Sequence, residues 1–182
     1  MILVMQLQPP ELYKQVHELV RLSFPEYEIF REEIVDAEIH LQICRSLSEQ
    51  RLFLHARLQQ DARVIEVAHE NQLDTAKPRE NEINRLTRVF VYRLLCQHLG
   101  RNINPYGIQT GVRPLKLLHR WLDQGDSREE IIDRLAQDYC MQPEVARRLA
   151  QIAGNNRPYL PAVQQAGRRI SLYIGIPFCP SR

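Results

Sequence analysis

One short stretch of the chain combines a turn, a helix start and two cationic side chains. Thr110-Gly111 predicts a turn, and Pro114 is typical of the first turn of a helix. A helix N-terminus offers backbone N–H groups and a partial positive charge. Arg113 can bind a carboxylate through two hydrogen bonds, and Lys116 adds a compact positive charge. The pattern predicts a carboxylate or phosphate clamp formed by Thr110, Gly111, Arg113 and Lys116.

The surrounding charge pattern favours an anionic partner, although a structural alternative stays open. From Ile83 to Leu122 the chain has seven basic residues and no acidic one, and residues 101–182 hold 12 Lys/Arg against 7 Asp/Glu. Such a stretch is typical of a surface that binds anions. In the alternative, the turn is structural, Arg113 pairs with an acidic residue elsewhere, and the other arginines lie on a solvated helix face.

A second candidate for chemistry is Cys179. The run 170–176 is apolar and rich in β-branched residues, Pro177 ends it, and Cys179 follows at once. This pattern predicts a strand that delivers a cysteine to a loop, which is where α/β barrels place catalytic groups. A free cysteine is more often a small buried apolar residue.

The composition is that of an ordinary soluble protein. The 182 residues are 44% hydrophobic and 25% charged, and no apolar run approaches the length of a membrane span. The cysteines are scattered and form no CxxC pair, so we expect them to be reduced and the protein to be cytoplasmic. The six histidines show no metal-ligand spacing, so we assign no metal to them.

Hydrophobic periodicity predicts an α+β fold. In residues 1–77 we expect a small βαβββ antiparallel meander, with its helix beginning at Pro9-Pro10 and ending near Phe24. The expected strands are Ile2–Leu7, Ile34–Leu47, Leu52–Leu58 and Val64–Ala68. Residues 78–156 form a helical region that contains the basic turn, and residues 157–182 form a linker and a last strand.

The helical region carries clear start and stop signals. A long helix is expected from about Glu80 to Leu99 and a second from Pro114 to Gln124, followed by Gly125. Ser127 and Glu130 have the spacing of a capping box for the next helix. Pro143 begins one more helix, and 154–158 is expected to be a loop.

Two motifs resemble those of known enzymes. The segment 172–179, Leu-Tyr-Ile-Gly-Ile-Pro-Phe-Cys, resembles the entry to the cluster motif of radical S-adenosylmethionine (SAM) enzymes of the oxygen-independent coproporphyrinogen oxidase group. The segment 106–116, Tyr-Gly-Ile-Gln-Thr-Gly-Val-Arg-Pro-Leu-Lys, is similar to a motif of the HemZ-type coproporphyrinogen dehydrogenases. The chain departs from these patterns at Gly175, where His is common, at Tyr106, where Trp is expected, and at Leu115, where Thr is usual.

The resemblance implies a specific chemistry. Such enzymes hold a [4Fe–4S] cluster through Cys-x3-Cys-x2-Cys and use SAM to start radical decarboxylation of coproporphyrinogen III to protoporphyrinogen IX. It implies that Cys179 is a cluster ligand, that Tyr173 lies near the cluster and SAM, and that the clamp binds a carboxylate of the anionic tetrapyrrole. An electron donor protein is a further expected partner.

The same resemblance implies an organisation for the whole enzyme. The chain would be an N-terminal accessory region that ends inside the cluster motif, at the first strand of a missing (β/α) barrel. By itself it would be inactive and would bind no cofactor, because one thiolate cannot replace three.

Two other functions stay open at the level of sequence. The parent protein could be a radical SAM protein with another role, such as haem handling or RNA modification, since an anion clamp does not identify its anion. The chain could also be a non-catalytic module that binds nucleic acid or protein through its last helix pair. Nucleic acid is disfavoured, because the second helix of that pair offers only Arg147 and Arg148. No membrane partner is expected.

Overall fold

The computed structural model describes residues 1–74, 79–110 and 113–160 of the chain. These residues form a mixed α+β fold with a five-stranded sheet and five α-helices. The strands are β1 (Ile2–Gln8), β2 (Glu28–Phe30), β3 (Ile39–Ser48), β4 (Arg51–Gln60) and β5 (Arg63–Gln72). The helices are α1 (Tyr13–Ser23), α2 (Arg79–Leu99), α3 (Pro114–Gln124), α4 (Arg128–Tyr139) and α5 (Pro143–Asn156).

The sheet is mixed, with strand order β2-β1-β3-β4-β5. β1 runs parallel to both β2 and β3, while β3, β4 and β5 pair antiparallel with one another. A parallel neighbour requires a crossover connection, which α1 and the segment after it supply. The prediction of an antiparallel meander that includes β1 is therefore wrong at that strand.

One face of the sheet is covered by α1 and α2. Alternate residues of the strands point to this face and are fully buried, among them Leu41 in β3 and Leu58 in β4. Val16 and Leu19 of α1 and Val91 and Leu95 of α2 belong to the same core cluster. α2 is thus part of the hydrophobic core of the sheet.

The last three helices share a second core. Trp121 of α3 packs with Leu135 of α4 and Leu149 of α5, and Ala146 and Leu118 are fully buried between the helices. The expected capping box of α4 is confirmed: Ser127 accepts a hydrogen bond from the Glu130 amide at 3.2 Å, and the Glu130 carboxylate accepts one from the Ser127 amide at 2.7 Å.

The loop after α2 is tied to the turn between α4 and α5. The Ile108 amide donates to the Tyr139 carbonyl at 2.9 Å, and the Gln142 amide donates to the Pro105 carbonyl at 3.0 Å. Gly107 has φ +59°, and a Cβ there would lie 2.0 Å from the Tyr139 carbonyl oxygen. Only glycine fits this close approach of two backbones.

Most predicted elements are present, with four differences in their details. The strand expected from Ile34 begins only at Ile39, and the short strand β2 was not expected. The segment 154–158, expected to be a loop, continues α5 through Asn156 and then forms a 3₁₀ turn. Arg85 and Arg88, expected to lie on a solvated face of α2, are both half-buried.

Three predictions concern parts of the chain that the structure does not test. The linker and strand of 157–182 fall, from residue 161 onward, outside the described residues. The first barrel strand within it, and the domain limits at residues 77 and 157, stay predictions.

Candidate anion-binding site

Three cationic side chains stand along the first half of α3. Arg113 is the N-cap residue of this helix, and Lys116 and Arg120 follow at spacings of three and four residues, which place all three on one side. All three are exposed, and none forms a hydrogen bond or ion pair with any of the residues in the described ranges. We call these three residues the cationic ridge. Within the described ranges, no acidic side chain pairs with the charges of this ridge.

The backbone at the start of α3 offers fewer groups for binding an anion than the sequence predicted. Arg113 caps the helix without a side-chain hydrogen bond, and Pro114 has no N–H group to offer. The Lys116 amide already donates to the Arg113 carbonyl at 3.1 Å. The side chains of the cationic ridge are therefore the main groups available to bind an anion.

A further arginine, from α2, reaches the turn before α3. The Arg88 guanidinium donates to the Thr110 hydroxyl at 2.8 Å, while its Nε is buried and has no hydrogen-bond partner among the described residues. Burial lowers the pKa of Arg88, and the charge of Glu18 opposes this effect. Arg88 stays cationic at neutral pH, because a guanidinium gives up its proton only in strongly basic solution.

The side of the cationic ridge that faces α2 borders a cleft of about 600 Å³. We call it the basic cleft. Its walls include Arg85 and Arg88 of α2, Ile108 of the loop, and Tyr139 at the end of α4. Arg85 is already paired, since it lies 3.5 Å from the Asp138 carboxylate. Arg88 and the cationic ridge thus supply most of the positive charge available to a ligand.

The opposite side of the cationic ridge borders a larger cleft of about 1040 Å³. We call it the apolar cleft. Leu115 and His119 of α3, Leu149 of α5 and Tyr106 of the loop line it together with the three cations. Its acidic residue, Asp123, forms an ion pair with Arg157. An anionic molecule with an apolar body could therefore contact both the cations and the apolar wall.

The structure brings together the predicted clamp residues that it describes. Arg113 and Lys116 line both clefts, and Thr110 is bonded to Arg88 of the basic cleft. Gly111, Tyr173 and Cys179 lie outside the described residues. The sequence reasoning missed the role of Arg88. The acid-free stretch contains it, but only the packing of α2 beside α3 shows that Arg88 faces the turn.

The described residues do not include a site for an iron–sulfur cluster. No group of three or more His, Cys, Asp or Glu side chains within them could hold a metal ion. Cys44 is exposed on the sheet, and Cys96 and Cys140 are half-buried beside the first core. Burial raises the pKa of the Cys140 thiol, which disfavours the thiolate needed for iron. No helix in these ranges is long and apolar enough to cross a membrane.

Part of the chain is similar in sequence to a curated protein. The chain is 35% identical over 99 residues to the oxygen-independent coproporphyrinogen-III oxidase-like protein HemZ of Bacillus subtilis (strain 168). The match covers 54% of this chain and 19% of the relative, so the chain spans only about a fifth of that protein. This similarity agrees with the resemblance inferred from the two motifs. No protein-family model matches the chain.

Solved structures show only a distant likeness. A ribosomal subunit interface protein from Coxiella burnetii matches 53% of this chain and 92% of its own length, at 15% identity and a TM-score of 0.32. A Vibrio cholerae protein matches 88% of this chain and 99% of its own length, at 13% identity and a TM-score of 0.30. Scores this low give no information about function.

Proposed function

We propose that this chain is the substrate-binding accessory region of a HemZ-type radical SAM enzyme, which decarboxylates coproporphyrinogen III to protoporphyrinogen IX. The observation that carries the proposal is the cationic ridge. Arg113, Lys116 and Arg120 stand side by side with no acidic partner among the described residues. A substrate with four propionates supplies the negative charge that such a surface lacks.

The alternative of a purely structural Arg113 has less support. A structural arginine holds a fold together through an acid or a carbonyl, and Arg113 contacts neither through its side chain in the described parts of the chain. Arg85 illustrates the structural kind, because it donates to the Asp138 carbonyl and pairs with Glu82 and Asp138. The contrast supports a role for Arg113 in binding.

The radical chemistry itself is assigned by resemblance alone. On this proposal Cys179 would be one of three cluster ligands, Tyr173 would lie near SAM, and a reduced donor protein would supply the electron. The cluster and SAM would provide the radical that abstracts hydrogen from the substrate. The residues described here would hold the substrate carboxylates.

The proposal can be tested on the 182-residue chain with coproporphyrin III, the stable, fluorescent and metal-free oxidised form of the substrate. Arg113 is exposed, so its loss should cost about 1 kcal/mol, or roughly fivefold in Kd, as for other solvent-screened ion pairs. Arg113→Ala with Lys116→Ala should weaken binding by about 20-fold. The effect should shrink at high salt.

A matched control separates specific binding from general charge. Arg57 is exposed on the open face of the sheet, so Arg57→Ala removes the same charge far from the ridge. We expect Arg57→Ala to bind coproporphyrin III like the unmodified chain, and all variants to keep its melting temperature. Two results would show that the ridge does not bind substrate. One is equal affinity of the Arg113→Ala, Lys116→Ala double variant and of Arg57→Ala for coproporphyrin III. The other is a double variant that loses stability but keeps its affinity.

A further inference from the structure

His119 is an unsatisfied imidazole on the wall of the apolar cleft. Its Nδ1 is buried without a hydrogen-bond partner, and the part of the chain that the structure describes offers Nε2 no partner either. Nε2 is the nitrogen that solvent can reach, because it is absent from the buried unpartnered atoms. A solvent-accessible imidazole nitrogen with no competing hydrogen bond is available to coordinate a metal.

Several apolar side chains line the cleft together with His119. Leu115 precedes it by one helical turn and lies on the same side of α3. Leu149, only 8% exposed, and Tyr106 complete the apolar wall. The cleft volume of about 1040 Å³ is at the upper end of ordinary ligand sites and is large enough for a macrocycle.

The rim of this cleft is cationic. Arg113, Lys116 and Arg120 line it, and the one acidic side chain that the described residues contribute to its wall, Asp123, forms an ion pair with Arg157. Carboxylates on the edge of a bound ring could therefore pair with Arg113, Lys116 or Arg120 while the ring itself contacts the leucines.

We propose that the apolar cleft binds an iron-bearing tetrapyrrole carboxylate, with His119 Nε2 as an axial ligand of the iron. Imidazole is a preferred ligand of iron, and a single histidine suffices to hold the iron of a haem group. The inference shares the cationic ridge with the proposed function, because both use it for carboxylates. The inference does not depend on radical chemistry. It adds a second ligand, which carries iron, whereas the proposed substrate carries no metal.

The proposal has a direct consequence for the substrate. The iron-bearing and metal-free forms carry the same carboxylates and need the same cations, so they compete for the ridge. Iron coproporphyrin should bind more tightly than metal-free coproporphyrin, because only the iron form gains the bond to His119. The iron form would therefore inhibit substrate binding.

The experiment is a titration of the 182-residue chain with iron(III) coproporphyrin III, followed by the Soret band and by electron paramagnetic resonance. We expect a red-shifted band and the signal of imidazole-ligated iron. His119→Ala should lose that signal and weaken binding of the iron form by about tenfold or more. Its affinity for metal-free coproporphyrin III should fall much less, because that form loses only a contact with the cleft wall, so the ratio of the two affinities is the readout.

Two further variants serve as controls. His55 is exposed on the open face of the sheet beside Glu66, so His55→Ala is the control for unspecific ligation by a surface histidine. His119→Met keeps a potential iron ligand of a different kind and should alter the spectrum without abolishing binding. Circular dichroism of each variant establishes that it is folded. His119→Ala should fold normally, because it removes a polar atom that has no partner.

The outcomes distinguish this inference from the proposed function. If the chain binds metal-free coproporphyrin III but His119→Ala keeps the spectrum of the iron complex, the axial ligand is wrong and the proposed function stands. If only the iron form binds and binding depends on His119, the inference stands and the proposed function fails. Equal losses in His119→Ala and His55→Ala would show unspecific ligation and would overturn the inference.

Discussion

Replacing Gly107 by alanine tests the contact that fixes the loop in front of the candidate site. Gly107 has φ +59°, which costs an alanine about 1–2 kcal/mol. The added Cβ would also lie 2.0 Å from the Tyr139 carbonyl oxygen and 2.5 Å from the Cys140 carbonyl carbon, where ordinary contact begins near 3.4 Å. Both partners are backbone atoms, so the clash cannot be relieved by turning a side chain.

The cost can be worked out from the contacts that must open. To admit the Cβ, the loop has to move away from the turn between α4 and α5, which breaks the bonds from Ile108 to Tyr139 and from Gln142 to Pro105. Each is worth about 0.5–1.5 kcal/mol. Added to the backbone strain, the free energy of unfolding should fall by about 2–5 kcal/mol, a large part of the stability of a typical protein.

Gly100 provides the matched control. It has nearly the same backbone conformation, φ +64°, but nothing lies within 4 Å of a Cβ placed there. Gly100→Ala should therefore cost only the strain, about 1–2 kcal/mol. For a protein of this size the melting temperature should fall by about 10 °C for Gly107→Ala and by about 5 °C for Gly100→Ala.

The assay is thermal and urea unfolding followed by circular dichroism, with coproporphyrin III affinity measured on the folded fraction. Gly107→Ala should also weaken binding, because the loop carries Tyr106 and Thr110 to the site. If the free energy of unfolding falls by the same amount in both glycine variants, the close approach of the two backbones does not contribute to stability. The account of how the loop is held would then be refuted.

Two further predictions concern pH. Burial, reinforced by the charge of Arg63, lowers the pKa of His98, so the folded state favours the neutral ring. Stability should therefore fall as the pH drops below about 6.5, where the unfolded chain takes up the proton, and His98→Gln should flatten that slope in urea unfolding. Ser127→Ala should cost about 1 kcal/mol at neutral pH through the lost helix cap. The Ser127 amide donates the hydrogen bond that lowers the pKa of Glu130 most, and Ser127→Ala keeps this amide. The unmodified chain and Ser127→Ala should therefore both lose stability in thermal unfolding as the pH falls through the ordinary range of a glutamate, whereas Glu130→Gln should flatten that slope; an unchanged slope in Glu130→Gln would contradict this.

Local signals of the sequence were sufficient to predict where α3 and α4 begin, but not where α5 ends. Pro114 and Gly125 bracket α3, and the capping box at Ser127 begins α4, because these residues act through bonds within one or two turns. The strand β2 was missed because its three residues, Glu-Ile-Phe, are too few to show an alternation of polar and apolar side chains. The parallel pairing of β1 was missed because periodicity indicates a strand but not its partners.

In the candidate site, too, the sequence predicted features that depend on neighbouring residues and missed those that depend on residues far apart in the chain. The sequence pattern grouped Arg113 with Lys116 at the start of one helix, and the structure adds Arg120, which lines the same cleft. The bond from Arg88 to Thr110 joins residues 22 positions apart and arises from helix packing, which no local pattern encodes. Nor could the sequence show that the ridge has no acidic neighbour among the described residues.

The position of α2 between the sheet and the basic cleft constrains how this protein can evolve. Val91 and Leu95 are fixed in the core of the sheet, and the rotation that they impose on the helix also sets the direction in which Arg88 points. A substitution that repacks the core can turn the helix and move this cation without touching the site. Evolutionary change in the core of the sheet is therefore coupled to the position of a charge on the surface, so that a substitution fixed for its effect on stability can also change the candidate site.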